Sequence, residues 1–377
     1  MGKKLRVGII FGGRSGEHEV SIRSARAVVE AIDRKKYDVI PIGITKEGKW
    51  LSPPDAAQLL PPRAQSLLPS VAEKLRGDVA ILGDPSHQGL ISLRSNSASL
   101  PSEPLDIVFP LLHGPHGEDG TLQGLLEMAR IPYVGCGVLA SACGMDKVAM
   151  KLLFRQAGLP VGKYIWFLRS QWRNNHSSII RRINRRLGFP CFVKPANLGS
   201  SVGVSKATDK TSLIKSVELA AQYDRKVIVE EALDARELEC AVLGNDEPEA
   251  SLPGEYVVYH EAARFLDYTE KYDDTGHVKF VVPAPVPKSV IARIQRMALE
   301  AFQAIDGAGL ARVDFFLLRK DQRLLINELN TMPGLTEVSG YPKMWQASGL
   351  TFPKLIDRLI ELAFERHRDK SLNKVSR

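Results

Sequence analysis

The first 44 residues of the chain have the pattern of a strand, a glycine-rich loop, a helix and a second strand. Residues 6–11 (RVGIIF) form a short apolar run, and residues 12–16 (GGRSG) predict a loop directly after it. Apolar residues then recur at helical spacing from residue 18 to residue 33, and residues 37–44 (YDVIPIGI) predict another buried strand. Two strands joined by a helix form a βαβ unit, so we expect the chain to begin with a parallel sheet.

The length and composition indicate a globular protein of more than one domain. With 377 residues the chain exceeds what one core usually organises, so two or three domains are expected. Hydrophobic residues make up 44% and charged residues 25%, and no apolar run approaches the roughly 20 residues that span a bilayer. The amino terminus leads into a strand without a signal-peptide cleavage region, so we expect a cytoplasmic protein and no membrane partner. The cysteines lack zinc-binding spacing and are predicted to be reduced thiols: Cys136, Cys143, Cys191 and Cys240.

The net charge of +8 raises the question of a nucleic-acid partner, and the arrangement of the arginines argues against one. Between residues 169 and 186 arginines alternate with apolar residues at helical spacing, which predicts an amphipathic helix with its arginines in solvent. We therefore expect no nucleic-acid partner, and a basic enzyme suits anionic substrates equally well. The arginines are Arg169, Arg173, Arg181, Arg182, Arg185 and Arg186, and the apolar residues are Ile179, Ile180, Ile183 and Leu187.

Two segments match nucleotide-binding motifs only in part. Residues 43–49 (GITKEGK) have the spacing of a P-loop, but Trp50 stands where that motif needs a Ser or Thr hydroxyl for magnesium. A turn at the end of a strand is the better interpretation. Residues 135–140 (GCGVLA) fit the loose dinucleotide fingerprint, but the region of Gln156 has no acidic residue to bind a ribose. We therefore reject a dinucleotide-dependent oxidoreductase.

The segment from residue 311 to residue 330 predicts a hairpin with polar side chains on one face. Arg312 and Asp314 are two positions apart, as are Glu328 and Asn330, so each pair projects from one face of its strand. The side-chain oxygens of Asp314, Glu328 and Asn330 would come together on this face, which suits Mg²⁺ bound to nucleotide phosphates. The alternative is a salt-bridged surface hairpin, but the opposite face of the strands is also apolar, at Val313, Phe315 and Leu329.

A lysine followed by a loop of small residues forms the second candidate site. Lys194 ends a predicted strand at residues 191–194, and residues 195–203 (PANLGSSVG) follow it. Glycine allows backbone N–H groups to approach phosphate oxygens, and the lysine would neutralise part of the phosphate charge. The segment is therefore suited to cover a triphosphate, with a plain flexible loop as the alternative.

Together these features resemble ATP-grasp ligases. Lys194 with its loop, residues 230–233 (EEAL) at a strand end, and the three predicted metal ligands occur in the order found in that superfamily. The chain is specifically similar to D-alanine–D-alanine ligases, from about residue 6 to residue 350, apart from residues 50–104, which look like an insertion. The segments with this similarity are residues 12–21 (GGRSGEHEVS), 113–120 (HGPHGEDG), 265–272 (FLDYTEKY) and 327–334 (NELNTMPG).

The resemblance implies a fold, a reaction and partners. The fold class would be α/β and α+β, with a Rossmann-like parallel-sheet domain at residues 1–139 and an ATP-grasp fold whose subdomains occupy residues 140–228 and 229–377. ATP would phosphorylate the carboxylate of one D-alanine, and the amine of a second would attack the D-alanyl phosphate, for peptidoglycan precursor synthesis. The implied cofactor is Mg²⁺, two ions for which Mn²⁺ can substitute, and the implied assembly is a homodimer.

The resemblance also assigns residues to the nucleotide. Cations are needed where two anions meet in phosphoryl transfer. Glu237 would bind the ribose, and residues 230–233 would line the adenine pocket. Glu231 stands where the family often has a lysine, so backbone contacts are expected to dominate there. The implied ATP-binding residues are Lys147, Lys194, Ser201, Glu230, Glu231, Leu233, Glu237 and Lys271.

At the substrates, Glu17 would hold the ammonium of the first alanine and Ser339 the carboxylate of the second, with His113 as a further substrate-binding residue. Arg312 and the backbone N–H of Gly334 would stabilise the tetrahedral oxyanion.

A polar loop at residues 269–276 is expected to close over ATP and exclude water from the acyl phosphate. Leu266 stands where a tyrosine is common, so details of closure can differ. The Tyr272 phenol is expected to reach Ser200 and, through it, Glu17, in a chain that favours an amine acceptor. Relatives that make the D-lactate ester lack this tyrosine. The alternatives are a D-alanine–D-lactate ligase or another ATP-grasp amino-acid ligase.

Overall fold

A computed structural model describes residues 3–69, 77–93, 102–199, 202–258 and 278–374 of the chain. Four predicted site residues lie outside the described ranges, namely Ser200, Ser201, Lys271 and Tyr272. The predicted loop at residues 269–276 lies outside them as well.

The first part of the chain contains the predicted βαβ unit. Its elements are β1 (Leu5–Gly12), α1 (His18–Ala31), β2 (Tyr37–Ile44), β3 (Trp50–Leu51), α2 (Pro53–Ala57), α3 (Pro62–Gln65), β4 (Val79–Ile81), β5 (Gly89–Ser92), β6 (Ser102–Pro104), β7 (Ile107–Pro110), α4 (Thr121–Met128) and α5 (Val138–Met145). The first sheet has the order β3-β2-β1-β7, and β1 pairs in parallel with both β2 and β7. The parallel sheet is therefore confirmed.

Two details of this region follow from local chemistry. The turn between β2 and β3 is closed by the Thr45 N–H, which donates to the carbonyl of Lys49 at 2.9 Å, so the P-loop-like segment is a strand-end turn as predicted. Residues 131–134 (IPYV) have the apolar pattern that predicts a further strand, but they form only an isolated bridge between Val108 and Tyr133. The ladder does not extend because Pro132 has no N–H to donate.

The described part of residues 50–104 is structured. Strands β4, β5 and β6 form a separate antiparallel sheet, in that order. The segment thus adds a small second layer beside the first sheet.

A four-stranded antiparallel sheet follows in the central part of the chain. Its strand order is β10-β9-β11-β8. Helix α7 buries Ile179, Ile180 and Ile183 against this sheet, while its arginines from residue 173 onward are exposed, as predicted. The elements are α6 (Lys147–Gln156), β8 (Tyr164–Leu168), α7 (Arg169–Arg186), β9 (Cys191–Pro195), β10 (Ser205–Ala207), α8 (Lys210–Tyr223) and β11 (Lys226–Glu231).

The last part of the chain forms a larger antiparallel sheet that contains the predicted hairpin. The elements are β12 (Ala235–Gly244), β13 (Glu249–Ala250), β14 (Gly254–Val258), β15 (Val278–Val281), α9 (Lys288–Ala304), β16 (Gly309–Leu318), β17 (Leu324–Asn330), α10 (Gly340–Ala347) and α11 (Phe352–Ser371). The order is β15-β14-β12-β16-β17, with β13 paired to β12. In the hairpin β16–β17, Arg312 lies opposite Asn330 and Asp314 opposite Glu328, and the register shifts after Asp314.

The hydrophobic cores join the first sheet to the end of the chain. Residues of β1 and α1, such as Val7 and Val28, share one buried cluster with Leu355 and Leu359 of α11. The domain boundaries stay predictions, and those placed after residues 139 and 228 fall inside α5 and β11.

Two further expectations concern the cysteines and the membrane. Cys136, Cys191 and Cys240 are buried free thiols, and Cys143 is half-buried and free. Among the described residues, no helix combines the length and the apolar character needed to cross a membrane.

Candidate active site

Helix α6 begins beside the central sheet, and Asp146 caps its first turn. The Asp146 carboxylate accepts hydrogen bonds of 3.0 and 3.1 Å from two backbone N–H groups of that turn. Lys226 on β11 forms an ion pair with the same carboxylate. Lys147 and Lys151 are four residues apart, so they project from the same face of α6. By fixing the start of α6, Asp146 therefore positions the ammonium groups of Lys147 and Lys151.

Glu230 on β11 lies between two lysines. Its Oε2 is 2.7 Å from Lys194 Nζ, and its Oε1 is 2.8 Å from Lys151 Nζ. Burial alone would raise the pKa of Glu230, but the two ammonium groups outweigh it and hold that pKa well below its usual range. Burial would lower the pKa of Lys194, but the nearby carboxylates, Glu230 first among them, outweigh it and raise that pKa. The Glu230 side chain thus holds lysines, so any adenine contact of this residue would have to come from its backbone.

The hairpin presents Asp314, Glu328 and Arg312 on one face. Arg312 donates from Nε to Asp314 Oδ1 and from Nη2 to Oδ2, both at 2.7 Å. Glu239 lies in register with Asp314 on the neighbouring strand β12, and its Oε1 is 3.3 Å from Arg312 Nε. Lys147 Nζ is 3.7 Å from Glu328 Oε2. The predicted metal ligands, the predicted oxyanion donor and one predicted ATP lysine therefore meet in one cleft.

The donor set of the hairpin suits a hard cation. Asp314 and Glu328 supply carboxylates from adjacent strands, and Asn330 supplies an amide oxygen that accepts the N–H of Met332 at 2.8 Å. Mg²⁺ prefers such oxygen ligands and is commonly held by one or two carboxylates plus substrate phosphates. Within the described ranges no group of three or more His, Cys, Asp or Glu side chains is arranged to hold a metal. A cation here would therefore need phosphate oxygens to complete its coordination.

Glu17 lies just before α1, where the first loop ends. A Cβ atom added to Gly114 or to Gly199 would lie 3.2 Å from Glu17 Oε2, so this carboxylate lies between the loop after β7 and the loop after β9. Glu118 is buried nearby and accepts the Gly114 N–H at 3.0 Å. Burial and then the charge of Glu17 raise the pKa of Glu118. Glu118 therefore favours its neutral form, and Glu17 is the group suited to hold an ammonium.

His113 connects the first sheet to the segment after β17. Its Nδ1 is 3.1 Å from the carbonyl oxygen of Met332, and its Nε2 is 3.3 Å from Ser24 Oγ. A carbonyl can only accept, so Nδ1 donates the proton. Burial lowers the pKa of His113, which favours the neutral ring. Both ring nitrogens are thus engaged within the protein, and a contact with substrate stays a prediction.

Gly334 and Ser339 lie in the buried segment between β17 and α10. Ser339 is the N-cap residue of α10, and its Oγ accepts the backbone N–H of Thr336 at 3.2 Å. This segment brings a helix N-terminus towards the hairpin, which suits an anionic substrate group.

The predicted adenine and ribose residues follow one another around the end of β11. Glu231 accepts the N–H of Lys163 at 2.7 Å. A Cβ atom on Gly162 would lie 3.7 Å from Leu233 Cδ1, so Leu233 and Glu231 both face the segment before β8. Glu237 is half-buried near the start of β12. Their contacts with a nucleotide stay predictions.

Three charged residues of the site had no predicted role, namely Lys151, Glu118 and Glu239. The signal for Lys151 is its spacing of four residues from Lys147, which places both on one helical face. Glu118 lies within residues 113–120, a segment that resembles the family, but nothing in the sequence of that segment indicates that Glu118 is buried. The sequence holds no comparable signal for Glu239, because its role depends on strand register.

A parallel-sheet domain followed by two antiparallel sheets, with a lysine of helix α6 beside a carboxylate of the second antiparallel sheet, defines an ATP-grasp ligase. Models of the D-ala D-ala ligase N-terminus and C-terminus match residues 6–136 and 153–361. The chain belongs to the D-alanine–D-alanine ligase family, which confirms the predicted family and fold class.

Known relatives match nearly the whole chain. A D-alanine–D-alanine ligase of Heliobacterium modesticaldum is 46% identical over 374 residues, which cover 99% of this chain and 98% of the relative. The structure of the D-alanine–D-alanine ligase from Coxiella burnetii has a TM-score of 0.81 at 37% identity and covers 98% of this chain and 97% of its own. The VanG D-Ala:D-Ser ligase from Enterococcus faecalis also has a TM-score of 0.81 at 37% identity, covering 96% of this chain and 100% of its own. The fold is therefore common to ligases that differ in the second amino acid.

Proposed function

We propose that the chain joins two D-alanines to D-alanyl-D-alanine through a D-alanyl phosphate, as a step of peptidoglycan precursor synthesis in the cytoplasm. Membership in the family makes it an ATP-dependent ligase. The observation that carries the proposal is the cluster of charges around Glu328, which lies 3.7 Å from Lys147, acts on the charge of Lys194 and shares its hairpin with Arg312.

In the first step the carboxylate of one D-alanine attacks the terminal phosphoryl group of ATP, which forms D-alanyl phosphate and releases ADP. Both reactants are anionic, so the step needs cations around the transferring group. Lys147 and Lys194 supply two, and Asp314, Glu328 and Asn330 would hold Mg²⁺, or Mn²⁺ in its place. When bound, such ions neutralise phosphate charge and align the phosphates. Lys271 and Ser201 are proposed as further ATP contacts outside the described ranges.

In the second step the amine of the other D-alanine attacks the acyl phosphate, and phosphate leaves. Glu17 would hold the ammonium of the first D-alanine and so fix its carboxylate towards ATP. The developing oxyanion would be stabilised by Arg312 and the N–H of Gly334. Ser339, at the N-terminus of α10, would hold the carboxylate of the incoming D-alanine.

The assembly is proposed to be a homodimer. Light scattering on the purified chain tests this, and a monomer at every concentration would contradict it.

The reaction is tested by measuring ADP and phosphate release with D-alanine, L-alanine, D-serine and D-lactate, followed by mass spectrometry of the products. We expect ADP release that depends on D-alanine and Mg²⁺, with D-alanyl-D-alanine as the product. A preference for D-serine or D-lactate as acceptor would keep the ligase chemistry and overturn the assigned product. ADP release that no amino acid stimulates would overturn the function.

A further inference from the structure

Lys151 is a buried lysine with no role in the proposed reaction. Its side chain is 3% exposed, so it does not reach the open part of the cleft. An ammonium group loses its hydration on burial and persists there only with charged or polar partners. Lys151 has two: Glu230 Oε1 at 2.8 Å, and the backbone carbonyl of Asn327, to which it donates at 2.6 Å.

The first partner links Lys151 to the proposed phosphate lysine. Glu230 uses its other oxygen, Oε2, to hold Lys194 at 2.7 Å. One carboxylate is thus shared by two ammonium groups, one from helix α6 and one from strand β9. The positive charge of Lys151 offsets part of the negative potential of Glu230. Lys194 is therefore neutralised less by Glu230 and attracts a phosphate more strongly.

The second partner links Lys151 to the hairpin. Asn327 directly precedes Glu328, the carboxylate proposed to hold Mg²⁺. The neighbouring Met150 also meets this strand, where its sulfur accepts the Leu329 N–H at 3.1 Å. Helix α6 is therefore fastened to β17 on both sides of Glu328, while Lys147 on the same helix lies 3.7 Å from Glu328 Oε2.

We propose that Lys151 is a positioning residue for phosphoryl transfer, which sets Lys194 through Glu230 and sets Glu328 through the Asn327 carbonyl. It touches neither substrate nor nucleotide, and it connects the central sheet to the C-terminal sheet at the place where ATP would lie. The inference rests on the proposed roles of Lys194 and Glu328.

Lys151→Met tests this, because methionine keeps most of the side-chain length and removes the charge. The variant loses the hydrogen bonds of the ammonium to Glu230 and to the Asn327 carbonyl, which should raise KM for ATP about tenfold and raise the Mg²⁺ concentration needed for half-maximal rate. KM for D-alanine should change less than about twofold, because Glu17 is not part of this network.

Ile183→Ala is the matched control for lost stability. Ile183 is fully buried on the outer side of the central sheet, away from these contacts, so its truncation lowers the melting temperature without changing KM for ATP. If a plain loss of stability explained Lys151→Met, both variants would show the same kinetics, and the proposal would be overturned.

Glu230→Gln tests the route through the shared carboxylate. In that background the further change Lys151→Met should add little to KM for ATP, because the two residues act as one unit. Fully additive effects would overturn the route. If Lys151→Met fails to fold, Lys151→Arg replaces it in the comparison of single and double variants. A planar guanidinium cannot place one nitrogen between Glu230 and the Asn327 carbonyl.

Different results would overturn the proposed function and the role of Lys151. An inactive wild-type chain would overturn the proposed function. An active wild type together with wild-type KM for ATP and wild-type Mg²⁺ dependence in the Lys151 variants would overturn this inference alone.

Discussion

Arg312 and Asp314 are joined by two parallel hydrogen bonds of 2.7 Å, although the first is proposed to face an oxyanion and the second to hold a cation. Arg312 also lies 3.3 Å from Glu239, so two carboxylates compete for one guanidinium. A cation bound to Asp314 would neutralise the charge of that carboxylate, and Glu239 would remain as the partner of Arg312. The arginine can therefore stay oriented whether or not Asp314 is engaged.

Arg312→Ala should lower the rate of dipeptide formation by about 10²–10³, the usual cost of one oxyanion donor, and leave ATP binding nearly unchanged. Single-turnover kinetics with D-alanine measure the rate, and calorimetry measures ATP affinity. Arg323→Ala is the control, because Arg323 forms an exposed pair with Asp321 in the turn of the same hairpin. A loss seen only in KM for ATP would make Arg312 a nucleotide contact instead.

Glu328→Gln should abolish turnover while the fold is retained, since it removes one of two carboxylates from the proposed Mg²⁺ site. Calorimetric titration with Mg²⁺ and ADP should show weaker binding of the ion. Glu300→Gln on α9, an exposed residue paired with Arg296, should leave both properties unchanged. Near wild-type activity of Glu328→Gln at ordinary Mg²⁺ concentrations would show that the metal lies elsewhere.

Asp146→Ala should cost about 1 kcal/mol of folding free energy for the lost cap of α6, and more because it also removes the ion pair with Lys226. It should also raise KM for ATP, since the cap positions Lys147 and Lys151. Asp209→Ala removes the cap of α8, where Asp209 accepts the Ser212 N–H at 2.8 Å. Thermal melts should show a larger loss for Asp146→Ala, whose ion pair with Lys226 has no counterpart at Asp209. Equal KM values for ATP in the two variants would refute the link between this cap and the site.

Glu118→Gln should make stability less dependent on pH. Burial raises the pKa of Glu118, so the folded state keeps a proton that the unfolded state releases above its ordinary pKa. The folded state then binds more protons, and this group lowers stability as the pH rises towards its folded pKa. Glutamine cannot ionise, so the variant should gain melting temperature over the wild type as the pH rises above the ordinary pKa of a glutamate. Glu127→Gln should instead lower the melting temperature relative to the wild type. Burial would raise the pKa of Glu127, but its contacts with Lys370 and Tyr133 outweigh burial and lower that pKa. The same pH dependence for wild type and Glu118→Gln would exclude a neutral Glu118.

Tyr272→Phe should loosen selectivity towards D-lactate, because phenylalanine cannot link two hydrogen-bonding groups. Product analysis with D-alanine and D-lactate present together compares the wild type with the variant. Predominant ester from the wild type at pH 7 would contradict the assigned acceptor.

Local periodicity was enough to predict the first βαβ unit, strand β9 and the hairpin β16–β17, but it did not indicate β8 or α10 beside the site. Strands such as β16 and β17 alternate or run apolar over seven or more residues, and the i, i+2 spacing placed Arg312 with Asp314 and Glu328 with Asn330. The short strands β4 to β6 have only three or four residues each, which is too few for periodicity to indicate a strand.

The missed residues are those whose role depends on distant contacts. An amphipathic helix pattern assigns Lys151 to solvent, and only the fold brings Glu230 and the Asn327 carbonyl to it. Glu239 likewise meets Arg312 because β12 and β16 pair in one particular register. Such charges are recognisable from sequence only when their partners lie within a few residues.

Helix α11, the last helix of the described chain, completes the core of the first sheet. Leu355 and Leu359 cover the cluster that contains Val7 and Val28, and Arg366 donates to the Tyr133 carbonyl at 3.0 Å. During synthesis on the ribosome, the part of this cluster that Leu355 and Leu359 cover therefore stays exposed until helix α11 has emerged, although α1 has already packed on the rest. Until then the exposed apolar surface of the nascent chain is open to aggregation.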